Sequence, residues 1–261
     1  MDIDLTGRVA IVTGAARGIG ATIGDRLAEA GAILYPLDLA VPDGSPAPER
    51  FLRADITEPA EVDAAVRTVL DAEGRIDILV NNAGINAVGP LAEIDLAAAS
   101  RCLAVNVTGV LAMSQAVIPA MRAARWGRII NAASFAAIVP ALGNGVYAAS
   151  KSAVVQLTRV LAGELGPWDI TVNAYAPGMI PTAINGFTEL PQAEQDRLLD
   201  TLTLRRWGSA VDVADLVCFL SSEHAGYITG SLIDVSGGKL ATQIPSNAYA
   251  AAAAPADRPV H

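Results

Sequence analysis

Histidine and cysteine are scarce in this chain. Its 261 residues hold two of each. Cys102 and Cys218 stand in no metal-ligand spacing, so no zinc centre is expected and both read as small apolar residues of a reducing compartment. Charge is thin, at 17% of residues, and positive charge thinner still: 18 Lys and Arg face 27 Asp and Glu, for a net charge of -9 and a pI near 4.7. Nucleic acid, which needs clustered cations, is not an expected partner. No run of about 20 apolar residues is free of charges and turn signals, so no membrane span is expected. The opening MDIDLTGRVAIVTG lacks the basic stretch and apolar run of a secretory leader, and the cytoplasm is the expected compartment.

What the chain has in abundance is apolar residues, 52% of the total, enough for one large core. Strand and helix patterns alternate along it. Strands are predicted at 8–13, 33–37, 51–54, 76–80, 127–133, 170–175 and 232–235. Helices are predicted at 18–31, 58–72, 96–124, 147–166 and 211–221, with 182–204 irregular or helical. Val62, Val66 and Val69 should face inward. Pro36 cannot donate to a ladder and is expected near the end of its strand. Pro42, Pro46 and Pro48 disfavour a regular helix across 39–50, so that crossover should be a bare loop. The alternation implies an α/β fold, a single doubly wound parallel sheet of about seven strands with helices on both faces. Residues 1–240 would form one dinucleotide-binding and catalytic domain. Residues 241–261, low in complexity, would be a flexible tail or pack on a neighbouring subunit.

Thr13 to Gly20 reads TGAARGIG and joins the first strand to the first helix. Gly14 permits the tight turn, and Gly18 and Gly20 allow backbone to approach backbone or pyrophosphate. The helix that follows offers unpaired N–H groups and a positive dipole end to phosphate. A purely structural turn would also use these glycines. Asp38 closes the second strand, where a carboxylate can accept from both adenosine ribose hydroxyls. A 2′-phosphate about 4 Å away would be repelled by about 4 kcal/mol at an effective dielectric of about 20. That favours NAD over NADP. Arg17 argues the other way, since a guanidinium can welcome the phosphate, and Asp38 could also serve only its turn.

Tyr147-Ala-Ala-Ser-Lys151 puts a phenol and an ammonium one helical turn apart, on one face. A neighbouring cation stabilises phenolate and could lower the tyrosine pKa by about three units, towards working pH. Ser134 ends the predicted 127–133 strand, at the sheet edge where ligands bind in such folds. Its hydroxyl could hold a substrate oxygen, or only shape a turn. Phe135, Ala136, Ala137, Leu142, Gly143, Val146 and Met179, with parts of 185–204, would line an apolar, uncharged pocket. Asn144 is its one polar candidate or a turn residue. Arg205-Arg206 reads as an anion clamp or as a structural joint.

With these motifs in this order, and with Asn81-Asn82-Ala83-Gly84, Asn106 and Pro177-Gly178 followed by Thr182, the sequence resembles the short-chain dehydrogenase/reductase family from about residue 5 to 238. The resemblance implies an NAD(P)-dependent oxidoreductase that moves a hydride between its cofactor and a secondary alcohol or ketone. Tyr147 would be the acid/base. Lys151 would lower its pKa and hold the nicotinamide ribose. Ser134 would bind the reacting oxygen, and Asn106 would help seat Lys151 through water. Gly14, Arg17, Gly18, Ile19, Gly20 and Asp38 would hold the adenosine and pyrophosphate. Asp55 and Ile56 would flank adenine, Asn82, Ala83 and Gly84 would lie beside the cofactor, and Pro177, Gly178, Ile180 and Thr182 would touch the nicotinamide side. The substrate would be small and mostly apolar or neutral, and the chain a homotetramer or homodimer. An NADPH-dependent 3-oxoacyl-thioester reductase is the alternative reading. A non-catalytic cofactor-binding regulator is a third, which the presence of Ser134, Tyr147 and Lys151 counts against.

Overall fold

Val9–Thr13 (β1) is wholly buried, as its β-branched sequence VAIVT demands of a central parallel strand. In a computed structural model describing residues 2–42, 48–181 and 186–252, it lies inside one seven-stranded sheet of order β3-β2-β1-β4-β5-β6-β7. The other strands are Ile33–Asp38 (β2), Leu52–Arg53 (β3), Ile78–Asn81 (β4), Gly127–Ala132 (β5), Ile170–Pro177 (β6) and Leu232–Val235 (β7), and every pairing is parallel. Strand order reverses between β1 and β4. The crevice at the carboxyl ends of those strands is where open α/β sheets take ligands.

Alternate residues of β1 feed two cores. Val9 and Ile11 join Val62, Val66 and Val69 of Pro59–Glu73 (α2), Met113 and Val117 of Val110–Ala124 (α4) and Leu165 of Gly145–Leu165 (α5). Ala10 and Val12 join Ile23 and Leu27 of Gly18–Glu29 (α1) and Val213 and Val217 of Ala210–Leu220 (α7). Helices therefore cover both faces.

Pro36 sits mid-strand, opposite Val12 in the register, and not at the strand end. The Ile33 N–H donates to the Arg8 carbonyl and the Ala15 N–H to the Leu37 carbonyl, so odd-numbered residues of β2 face β1. Pro36 turns its donorless nitrogen to the other side, where pairing with β3 begins only at Leu37. The brevity of β3 is what admits the proline. In the 39–50 crossover a 3-10 turn forms at Pro48–Arg50.

The predicted 96–124 helix is three joined pieces: Leu96–Leu103 (α3), a π-helical segment Ala104–Gly109, and α4. Contrary to expectation, this run is long and apolar enough to cross a membrane, with a mean hydropathy of 1.6 in its most apolar stretch. Here its apolar residues Met113, Val117 and Met121 are fully buried against the sheet. Beyond β7, where a loose tail was expected, Ser246–Ala252 (α8) is helical, and the Tyr249 hydroxyl donates to the Thr203 carbonyl at 2.8 Å. Gln192–Leu199 (α6) lies between β6 and α7.

Candidate active site

The glycine turn is locked from the neighbouring strand. Gly14 and Gly18 both take positive φ, +65° and +60°. A Cβ on Gly14 would stand 2.8 Å from Ala83 Cα, and one on Gly20 would collide with the Gly14 carbonyl oxygen and the Asn82 amide. Asn82 Nδ2 donates to the Thr13 and Gly14 carbonyls, both at 3.1 Å, and Tyr175 donates its hydroxyl to Asn82 Oδ1 at 3.0 Å. Thr13 Oγ1 accepts from the Asn82 and Ala83 N–H groups at 3.0 Å. Burial pushes the Tyr175 phenol far above the usual tyrosine value, so it stays a donor. Tyr175 is a site-supporting residue that sequence reading missed, because it reads as strand core.

Asp95 caps α3 and Ser209 with Asp212 forms a capping box on α7. Among the described residues no side chain caps α1, where exposed Arg17 occupies the cap position. A Cβ on Gly18 would meet open space. Bare first-turn amides beside open space fit a phosphate group. Ile19 is half-buried behind them. Asp38 borders the same turn. Its Oδ2 accepts from the Ala16 N–H at 2.9 Å and its Oδ1 from the Leu39 N–H at 2.7 Å. Each oxygen keeps a lone pair for a ribose hydroxyl. A dinucleotide fits this cradle.

Asp55 accepts from the Thr57 N–H and hydroxyl, at 2.8 and 2.7 Å. Ile56, expected beside adenine, is buried at 6% exposure under the π segment, where a Cβ on Gly109 would come within 2.7 Å of its Cδ1. Pro177 ends β6. Gly178 passes so near Ser236 that a Cβ would stand 2.6 Å from its Cα, and Ile180 is buried behind it. Thr182 and Asn185 lie outside the described residues.

The chemistry-bearing side chains converge at the carboxyl ends of β4 and β5. Lys151 is buried on α5, and its Nζ donates to the Ala132 carbonyl at 2.8 Å and lies 5.7 Å from the Tyr147 ring centre. A Cβ on Gly84 would stand 3.2 Å from both Lys151 Nζ and Asn106 Oδ1, so a side chain there would have to push these groups aside by a few tenths of an ångström. Asn106, in the π segment, grips Ile85 with both ends of its amide, each at 2.9 Å. It does not bond the Lys151 ammonium directly. Its Nδ2 also donates to Ser150 Oγ at 3.0 Å, and Ser150 donates to the Tyr147 carbonyl at 2.6 Å. Ser150 thus ties the tyrosine's turn to Asn106. It sits within the Tyr147–Lys151 stretch, but nothing in its spacing announces the tie.

Burial pulls the Lys151 ammonium down to about 8. Burial also raises the Tyr147 phenol, while Ser134, facing it, lowers it. The expected depression of Tyr147 by Lys151 does not dominate. Desolvation of the phenol is the largest effect, and the ammonium is turned to the Ala132 carbonyl. Ser134 Oγ also accepts from the Ala136 N–H at 3.1 Å, so it is both a turn former and a neighbour of the phenol.

Phe135 and Met179 are buried, but Leu142 is fully exposed and forms no pocket wall. Asn144 accepts from Asn86 Nδ2 at 3.1 Å. Arg205 pairs with Asp200 at 2.8 Å and Arg206 with Asp212 at 3.3 Å, as a structural joint would. The lining is not uncharged: Lys239 Nζ stands 5.2 Å from the Phe135 ring centre. Among the described residues no group of three or more His, Cys, Asp or Glu side chains could hold a metal.

A family profile described as "Enoyl-(Acyl carrier protein) reductase" matches residues 14–239. The chain belongs to the short-chain dehydrogenase/reductase family. It is an NAD(P)-dependent oxidoreductase acting on CH–OH groups. It is 39% identical over 241 residues to the (2S)-[(R)-hydroxy(phenyl)methyl]succinyl-CoA dehydrogenase subunit BbsD of Thauera aromatica, covering 89% of this chain and 96% of that one. It is 36% identical over 245 residues to the 3-oxoacyl-[acyl-carrier-protein] reductase FabG of Pseudomonas aeruginosa, covering 90% and 98%. A solved structure of a putative short-chain alcohol dehydrogenase from Sinorhizobium meliloti superposes with a TM-score of 0.86 at 36% identity, covering 93% of this chain and all of that one.

Proposed function

We propose that the enzyme uses NAD(H) to interconvert a small, largely apolar secondary alcohol and its ketone, with Tyr147 as the proton donor and acceptor. The observation that carries this reading is the convergence of Ser134, Tyr147 and Lys151 at the open end of β5. When bound, the nicotinamide supplies or takes the hydride. In reduction, Tyr147 gives its hydroxyl proton to the carbonyl oxygen held by Ser134. The phenolate left behind is stabilised by the Lys151 ammonium on the same helix face. In oxidation, the phenolate removes the alcohol proton. Lys151, packed close against Gly84, would also hold the nicotinamide ribose. Asn106 and Ser150 hold the helix that carries both groups.

NAD preference rests on Asp38, whose carboxylate, held by the Ala16 and Leu39 N–H groups, would repel a 2′-phosphate. The relatives named 3-oxoacyl-[acyl-carrier-protein] reductase support a second reading, an NADPH-dependent thioester reductase. A cytoplasmic assembly of two or four copies completes the proposal. It draws on the small exposed residues of α5, Ala149, Ser152 and Gly163, beside which Val160 is 58% exposed.

The test is reduction of ketones with NADH and NADPH by the wild-type enzyme and by Tyr147→Phe. The variant should lose about 10²–10⁴-fold in kcat, with NADH affinity within about twofold by fluorescence titration, because the ring stays and only the proton goes. Retained turnover would remove Tyr147 from the chemistry.

A further inference from the structure

Lys239 is a part-buried ammonium beside the site that none of these roles uses. Its backbone belongs to one wall of the cleft. It bridges Leu202 in antiparallel fashion, its N–H donates to Ser236 Oγ at 3.0 Å, and the Gly238 carbonyl before it accepts from the Thr203 hydroxyl at 2.9 Å. Its side chain crosses to the other wall, onto the ring of Phe135, the residue next to Ser134. The ammonium therefore lies between the segment after β5 and the segment after β6.

Among the described residues Lys239 Nζ has no hydrogen-bond or ion-pair partner, whereas Arg205 and Arg206 on the same wall each hold a carboxylate. Burial alone pulls the Lys239 ammonium down. The aromatic face covers one side of the cation, but its N–H donors keep their need for an anion or water.

We propose that Lys239 is the counter-ion for a substrate carboxylate, so that the reacting carbonyl belongs to a short oxo-acid whose carbon body lies along Phe135. This rests on the reading of Ser134 and Tyr147 as the carbonyl site. Sequence reading left the pocket uncharged because Lys239 is about a hundred residues from Phe135 and follows a glycine pair that reads as a turn.

Two measurements separate the proposal from the reading beneath it. The first compares NADH-dependent reduction of acetoacetate and its methyl ester by the wild type and by Lys239→Met. The acid-over-ester ratio of kcat/KM should fall at least about tenfold in the variant; an unchanged ratio overturns the proposal. The second is calorimetric binding of butyrate, which cannot react, to the NAD-loaded enzyme. Butyrate should bind the wild type and Lys239→Arg, and bind Lys239→Met at least about tenfold more weakly. Equal binding to all three, or none to the wild type, overturns the proposal. Lys239-dependent binding of butyrate with no turnover of either ketone would leave the anion site standing and defeat the oxidoreductase reading of Ser134 and Tyr147.

Discussion

Lys151 gives one of its three donors to the Ala132 carbonyl and is itself buried. Its pKa in the folded chain, about 8, lies below the 10.5 of a free lysine. The folded state therefore releases that proton first. The stability cost of the buried charge is full below pH 8 and fades as pH rises towards 10.5. Catalysis should run the opposite way. Loss of the ammonium removes the stabilisation of phenolate and makes Tyr147 a weaker acid. We expect kcat/KM for carbonyl reduction to fall as pH rises through about 8, measured as initial NADH consumption across pH 6 to about 10. A flat profile there would separate Lys151 from the acid step. Asp38 acts by charge and by hydrogen bonding to its own turn. Asp38→Ala should shift the NAD-over-NADP ratio of kcat/KM at least about tenfold towards NADP, since like-charge repulsion of about 4 kcal/mol at about 4 Å is then gone. An unmoved ratio in paired NADH and NADPH assays would leave Asp38 a turn residue only.

At the scale of elements, the π-helical segment decides the site. A π turn inserts one residue into a helix and is often found at functional positions. Here it sets Asn106 between Ile85 and Ser150 and presses Gly109 onto Ile56. Gly109→Val should destabilise the fold by about 1–3 kcal/mol through overpacking. Thermal unfolding followed by circular dichroism checks this, and a melting temperature equal to wild type would show that Ile56 can yield. The 96–124 helix was legible from its apolar spacing; the π segment inside it was not, because a one-residue insertion leaves composition unchanged. The Ser150 link was hidden for a related reason. A serine in a helix points to whichever partner the neighbouring element brings, and that partner lies 44 residues away.

At the scale of the molecule, the alternation of strands and helices, the glycine turn before α1 and the Tyr147–Lys151 spacing were all written locally, at intervals set by backbone geometry, and they were enough to determine a doubly wound sheet and the place of its crevice. Burial, the field inside the site and the meeting of distant segments were decided only by tertiary structure. Tyr147 is raised by burial despite its lysine neighbour, Ile56 is packed beneath a helix, and Lys239 reaches Phe135 across the cleft. The physical reason is that desolvation and through-space contact depend on which surfaces close over a group, and that is a property of the folded whole.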